Sequence, residues 1–424
     1  MKISLTNLQK PLIAALVALM PFHTLLFHLI PLGDGLRLWR DVLLFGLVGL
    51  NLVRAGRQAV TTTTILIALA WVAGGFHALM FHDRGMDIGV WGNVYRVYFM
   101  PFLAAGLMLC CPEDYVFRRM LCRIYVWSAV AVSAFGIVQM FLIGNAYLNL
   151  IGVGWGSVRL ADGFQRNIGV FESANVMGIY VVFALILTMY DPKLIRRKAP
   201  IVLFLAISLL LTFSVSSLLA ILLAVAYKEF IVDKGARFAG RGLKSAGIAA
   251  AGIALFLLID RIVLRGTIAQ RVMERVVEIL TAITQYDPES KSSAAIHLRS
   301  LIEPIGVLAG KPWGIGFATN TFMTWDKVGY QLTGAVESSV FTILYDLGIL
   351  AGILYLLPYL KAAFGTRGGR GGISSLMAVA LLVSFVFLPL VQNYELRFFL
   401  FLFVGMNMAQ PSAAQPTASD SPRA

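Results

Sequence analysis

Charge is scarce in this chain. Asp, Glu, Lys and Arg make up 13% of its 424 residues, while 58% are hydrophobic and the mean hydropathy is +0.80. An ordinary soluble domain carries about a quarter charged residues, so this balance excludes a water-soluble globule of such length. Cysteine is nearly absent. Cys110, Cys111 and Cys122 are the only three, none falls in a segment assigned below to the outside, and no disulfide framework can be built from them. The five histidines contain no H-x-x-x-H pair and no carboxylate spacing suited to zinc, and a D-x-D motif is missing. His23 and His28 read as packing or interfacial residues, and His77 and His82 as surface groups at the end of a span. Neither a metal nor another cofactor is expected.

What the chain has in abundance is long apolar runs. They recur near 11–30, 36–53, 60–80, 92–111, 121–142, 172–190, 199–214, 216–232, 243–260, 336–360, 373–391 and 394–410. Each is close to the roughly 17–25 residues that cross a bilayer as a helix. The expected fold is therefore all-α, a polytopic integral membrane protein of about twelve transmembrane helices with one large helical periplasmic loop. Spans one to nine occupy 1–260, the loop 261–335, spans ten to twelve 336–410, and a polar, disordered cytoplasmic tail 411–424. The first run is too long for a signal-peptide core and no A-x-A-like site follows it, so it reads as an uncleaved span. A tight turn is expected at Ser214 to Ser217.

Basic residues orient this topology. "RAGRQ", "FRRM", "KLIRRK", "KEFIVDKGARFAGRGLK" and "KAAFGTRGGRGG" all fall on the side that carries both termini, which the positive-inside rule makes the cytoplasm. Most of the net charge of +13 is thus topology, and no nucleic-acid partner is needed to explain it.

The one long connection, about 261–334, is then external, and loops of that size are usually functional. "TIAQRVMERVVEILTAITQYD" spaces Ile268, Val272, Val276, Ile279, Leu280 and Ile283 as a helix, with Arg271 and Arg275 one turn apart on another face. "SSAAIHLRSLIEPIGVLAG" predicts a second helix with Leu298, Leu301, Ile305 and Leu308 as its apolar stripe, ended by "KPWGIG". The external side also carries an excess of arginine: Arg37, Arg40, Arg84, Arg96, Arg159, Arg166, Arg261, Arg265, Arg271, Arg275, Arg299 and Arg397, against three lysines. Singly, each can pair with a headgroup or a carboxylate. As a set, their planar forks suit a phosphate-bearing substrate at the membrane surface.

The order of these pieces is a basic external segment, a two-helix external loop, "R-x-x-x-x-x-P…G-K-P-W-G-I-G" and then a span reading "L-Y-D-L-G-I-L-A-G". It resembles the O-antigen ligase and polymerase superfamily of bacterial envelope glycosyltransferases. "GLRLWRDVLLF", "GFQRNIGVFESANVMG" and "NYELRFF" extend the resemblance over most of the chain, and Arg299 to Gly352 carries its most specific part. The resemblance implies an inner-membrane enzyme whose donor is an undecaprenyl-diphosphate-linked glycan, used on the periplasmic face without metal or sugar nucleotide. An acceptor hydroxyl attacks the anomeric carbon and the lipid diphosphate leaves. The acceptor is either another lipid-linked repeat unit (polymerase) or lipid A–core (ligase). A chain-length regulator and a flippase are the partner proteins it suggests.

Ligases of this superfamily commonly carry a His-Asn-like pair where the loop returns to the membrane. Here Glu337 and Ser338 stand there, which favours polymerase and makes Glu337 the expected general base. Arg299 and Arg166 are expected to hold the leaving diphosphate, with Arg96 as a third cation. Glu172 and Asn175 are candidates for sugar hydroxyls or for a helix cap, and Glu395 and Arg397 for the wall of the site or the glycan. Arg271, Arg275 and His297 join the substrate-binding set. His297 lies two residues from Arg299, about 200° away around a helix, so Glu303 is Arg299's natural partner. Asp346, roughly 13 Å below Glu337 along the helix, matches an acidic family position and reads as a paired structural carboxylate or as a catalytic one. A transporter of lipid-linked glycans is the rival from another class; it would show related halves and charges deep in several spans.

Overall fold

The computed structural model describes residues 5–29, 38–81, 87–110, 114–143, 145–150, 159–161, 164–191, 193–232, 293–319, 336–365 and 372–408, with the single positions 261, 270, 274, 277, 281 and 284. These residues are almost entirely helical. The helices are α1 (Leu5–Leu19), α2 (His23–Leu29), α3 (Trp39–Ala55), α4 (Thr62–Met80), α5 (Ile88–Phe99), α6 (Tyr115–Val138) and α7 (Asn145–Leu150). After them come α8 (Ala174–Tyr190), α9 (Lys198–Leu211), α10 (Val215–Ala226), α11 (Ser293–Gly310), α12 (Ser339–Phe364), α13 (Ile373–Phe387) and α14 (Tyr394–Met408). One small antiparallel pair, β1 (Arg159–Ala161) and β2 (Phe164–Gln165), interrupts the series.

Among the described residues, five helical stretches are long and apolar enough to cross a membrane: Leu8–Leu26, Thr62–Met80, Tyr115–Leu142, Val215–Val232 and Ser339–Phe364. α8, α9 and α13 are shorter and equally apolar. The distribution of polarity says what surrounds them. α3 turns Leu44, Leu47, Val48 and Asn51 inward and exposes Val42, Phe45, Leu52 and Val53. Across the protein Asn51, Gln139, Asn167, Asp346 and Arg397 are fully buried, while Phe76, Val72 and Leu142 are exposed. Polar groups inside and apolar side chains outside is an arrangement for lipid, where backbone and polar side chains must be satisfied internally.

Helix starts follow local chemistry. Thr61 and Thr64 form a capping box on α4, and the side chains of Asp87, Asp114, Ser173 and Ser214 each accept a backbone N–H of the helix that follows. The turn between α9 and α10 is tight, as predicted, but it is made by Thr212 and Phe213 just before Ser214, with Phe213 at φ 51°. Between α5 and Cys110 the chain runs as a 3-10 helix, Met100–Cys110, whose Ala104, Ala105 and Gly106 let α3 and α14 approach closely.

Two features of the predicted loop are visible. Gln270, Glu274, Val277, Thr281 and Thr284 are helical and exposed, and all but Val277 are polar; the positions of the predicted apolar stripe lie outside the described residues. α11 forms with the expected end after Gly310. Its buried side is Ala295, Ser300, Pro304 and Leu308, and Ile305 is exposed. Spacing by four residues sets the contact face, and Ile305 lies one residue, about 100°, beyond it.

The segment after α11 docks into a break in α12. Gly348 sits at φ 66° and ψ 175° inside that helix. The backbone of "KPWGIG" fills the gap: Ile349 N donates to Pro312 O and Ile315 N to Tyr345 O, both at 2.9 Å. His77 of α4 bonds Trp313 O at 2.8 Å, and Phe317 N donates to Phe81 O at 3.2 Å. Gly314, at φ 82°, has no room for a side chain against the Tyr345 carbonyl. The two glycine motifs singled out in the sequence therefore meet, each leaving space for the other's backbone.

Candidate functional site at one end of the bundle

Long-range contacts gather the heads of α3, α8, α12 and α14 and the tails of α5 and α9 toward one end of the bundle. Two ion pairs form there. Arg40 Nη1 donates to Glu395 Oε1 and Arg96 Nη1 to Asp41 Oδ2, each at 2.5 Å. Arg40 and Glu395 are almost completely buried, and the Arg40 guanidinium lies 3.9 Å from the Tyr394 ring centre. Arg96 is fixed further by Asn93, one helical turn before it. An unpaired buried charge costs several kcal/mol, so these pairs hold each other in place.

His23 is next to them. Trp39 Nε1 donates to its Nδ1 at 3.1 Å. Indole can only donate, so Nδ1 is an acceptor and the other ring nitrogen carries the proton. This histidine is a neutral hydrogen-bond donor whose Nδ1 lone pair is already engaged.

Glu172 completes the group. It is exposed, and among the described residues it makes no hydrogen bond or ion pair. The atoms crowding its carboxyl and the nearby Glu395 carboxylate hold its pKa above the usual value, with Arg40 opposing them. Tyr147 of α7 lies within electrostatic reach and is 3% exposed. It packs with Leu148, Ile168 and Ala174, edge-on to Phe135 at 5.0 Å.

Arg166 and Asn175 form a second group. Arg166 Nε donates to Thr212 O at 2.8 Å, and Nη2 to Asn175 Oδ1 at 3.2 Å and Phe213 O at 3.4 Å. The guanidinium thus sits on the carbonyls that end α9, where a cation also complements the helix dipole. Arg299 pairs with Glu303 at 3.6 Å, one turn along α11, as the helix geometry predicts. His297 is on the same helix, and its side chain lies outside the described residues, as do Arg271 and Arg275. Glu337 is half-buried immediately before α12. That head is pinned to the α13–α14 connection: Ser339 Oγ donates to Leu388 O at 2.5 Å and accepts from Val391 N at 2.9 Å.

Arg397 is deeper than the sequence suggests. It is fully buried, donating to Tyr98 O at 2.9 Å, Asn393 O at 3.2 Å, the Val97 carbonyl and the Tyr355 hydroxyl. Its fork joins α14 to the end of α5. Asp346 is its neighbour in the same network, accepting from the Tyr98 hydroxyl at 2.5 Å, and Tyr355 donates to Tyr98 O at 2.8 Å.

The structure therefore brings Arg96, Glu172 and Glu395 into one cluster and Arg166 with Asn175 into another. It also adds Asp41 and Tyr147, to which sequence reasoning assigned no role, and draws in Arg40, one of the external arginines, and His23, read from the sequence as a packing or interfacial residue. "WRD" at the head of an apolar run was the available signal: opposite charges side by side where a span begins. Among the described residues no three His, Cys, Asp or Glu side chains gather as metal ligands. Comparison with models of known protein families gives no match, and comparison with curated protein sequences gives none either.

Proposed function

We propose that the chain is an inner-membrane glycosyltransferase that polymerises undecaprenyl-diphosphate-linked repeat units at the outer face. The observation that supports this most is the convergence, at one end of an apolar bundle, of arginines and carboxylates from segments as distant as Arg40 and Glu395. A donor with a lipid tail and a charged head must be held where hydrocarbon gives way to water, and its leaving diphosphate needs fixed cations. Arg166, already positioned on the α9 carbonyls, and Arg299 on α11 take that role, with Arg96 at the rim. A carboxylate takes the acceptor's proton; Glu337, at the head of α12, is the one the resemblance points to.

In this reading the chain crosses about twelve times, both termini are cytoplasmic, and the loop 261–334 is periplasmic. Reporter fusions at Gly235 and Gly369 are expected to read cytoplasm and one near Asp287 periplasm; a cytoplasmic signal at Asp287 overturns the site. The decisive assay uses purified protein in vesicles with lipid-linked repeat units. A ladder of longer lipid-linked glycans is the expected product. Transfer only to lipid A–core identifies a ligase instead.

A transporter draws on one observation, the break in α12, because discontinuous helices build transport sites. Here the freed backbone groups beside Gly348 bond to residues 312–315 of the same chain, which favours an anchor for the loop. Translocation of the lipid-linked unit without any change in its length would establish the transporter.

A further inference from the structure

We infer that Glu172 is the group that accepts the proton of the incoming sugar hydroxyl, and that the Tyr147 hydroxyl orients that sugar beside it. The inference rests on the glycosyltransferase reading and replaces Glu337 with another carboxylate.

The cluster contains three carboxylates and two arginines. Arg40 is committed to Glu395 and Arg96 to Asp41, both at 2.5 Å. Both of those carboxylates are buried and already bonded to a guanidinium. Glu172 is the third, and among the described residues no cation is bonded to it. It is also the accessible one: Asp41 is 6% exposed and Glu395 8%, while Glu172 is exposed.

Tyr147 supplies an independent sign of a ligand. Its hydroxyl is buried and makes no hydrogen bond among the described residues. Leaving such a group unmatched costs about 1–3 kcal/mol, and a hydroxylated ligand removes that cost. A phenol donor within electrostatic reach of a carboxylate acceptor suits a sugar carrying several hydroxyls. Among the described residues, Glu395, Arg40 and Tyr147 lie within electrostatic reach of Glu172. His23 is unsuited to the same task because its Nδ1 already accepts from Trp39.

The step balances as follows. The acceptor O–H gives its proton to Glu172, its oxygen bonds to the anomeric carbon, and the bond from that carbon to the diphosphate oxygen breaks. The electron pair leaves on the lipid diphosphate, and Glu172 later returns its proton to water.

The test uses the full chain in vesicles with lipid-linked repeat units, following both chain growth and release of lipid diphosphate. Glu172→Gln is expected to slow turnover by about 10²–10⁴-fold while donor binding, measured by co-sedimentation, stays within twofold. Glu172→Asp is expected to restore part of the rate. Tyr147→Phe should raise the acceptor KM several-fold with a smaller effect on kcat. Because Glu172 is exposed, its variants should keep the wild-type Tm. Wild-type turnover with undiminished Glu172→Gln turnover overturns this assignment alone. No turnover by the wild type overturns the glycosyltransferase reading, and this role with it.

Discussion

Replacing Gly348 by alanine tests the account of the broken helix. At φ 66° and ψ 175° an L-residue is strained, at a cost of about 1–3 kcal/mol. A methyl group there would also meet the Trp313 backbone at 2.8 Å, and that backbone is held in place by His77 and by the Ile349 and Ile315 hydrogen bonds. The loop cannot retreat without giving up those bonds, so the loss should reach roughly 2 kcal/mol or more. Gly46→Ala is the matched control. Gly46 lies in α3, with nothing within 4 Å of where an alanine methyl group would stand, and alanine there should stabilise by up to about 1 kcal/mol. Thermal unfolding of both variants in the same detergent, read by loss of monodisperse protein, should move in opposite directions. Equal stability of the two proteins would refute the claim that α12 is broken by this contact.

Three further outcomes follow from the same geometry. Glu395→Gln should destabilise by about 3–5 kcal/mol by stranding Arg40, whereas the double change Arg40→Met with Glu395→Leu should recover most of the loss; thermal denaturation of the three proteins decides. At the other end of the bundle the Asp114 carboxyl accepts from Lys10 Nζ at 2.5 Å and from Phe117 N at 2.8 Å, and these bonds hold it below its ordinary pKa. Its contribution is therefore present above about pH 4, the unfolded value, and lost as pH falls further; Asp114→Asn should flatten the acid limb of a stability–pH curve. Arg299→Lys should lower polymer synthesis substantially, since a point charge does not reproduce a planar fork, while His297→Ala should be far milder at matched membrane levels.

Local chemistry made much of this legible from residues alone. The helical run over α11, its stop at "KPWGIG" and the Arg299–Glu303 pair all depend on neighbours within a few residues, and the structure has each of them. What could not be read depends on distant partners. Nothing local says that Gly314 must meet residue 345, or that Arg40 will find Glu395, 355 positions away. Ile305 was misplaced because apolar periodicity does not say which edge of an apolar stripe meets the rest of the protein. Arg397 read as part of the site's wall or a glycan contact because "NYELRFF" begins a span; only its distant bonds to the carbonyls at the end of α5 place it in the interior. Tyr147 carried no signal, since one tyrosine in an apolar stretch is ordinary.

The buried fork of Arg397 also constrains how the protein is made. The carbonyls of Val97 and Tyr98 are synthesised about 300 residues before the guanidinium that bonds them. Until α14 is inserted, the end of α5 faces lipid or water without that partner, and an unsatisfied carbonyl in hydrocarbon costs several kcal/mol. The early helices can thus enter the bilayer in order of translation, but their final packing waits for the last one. A chain cut short before residue 397 lacks the guanidinium that closes the end of α5.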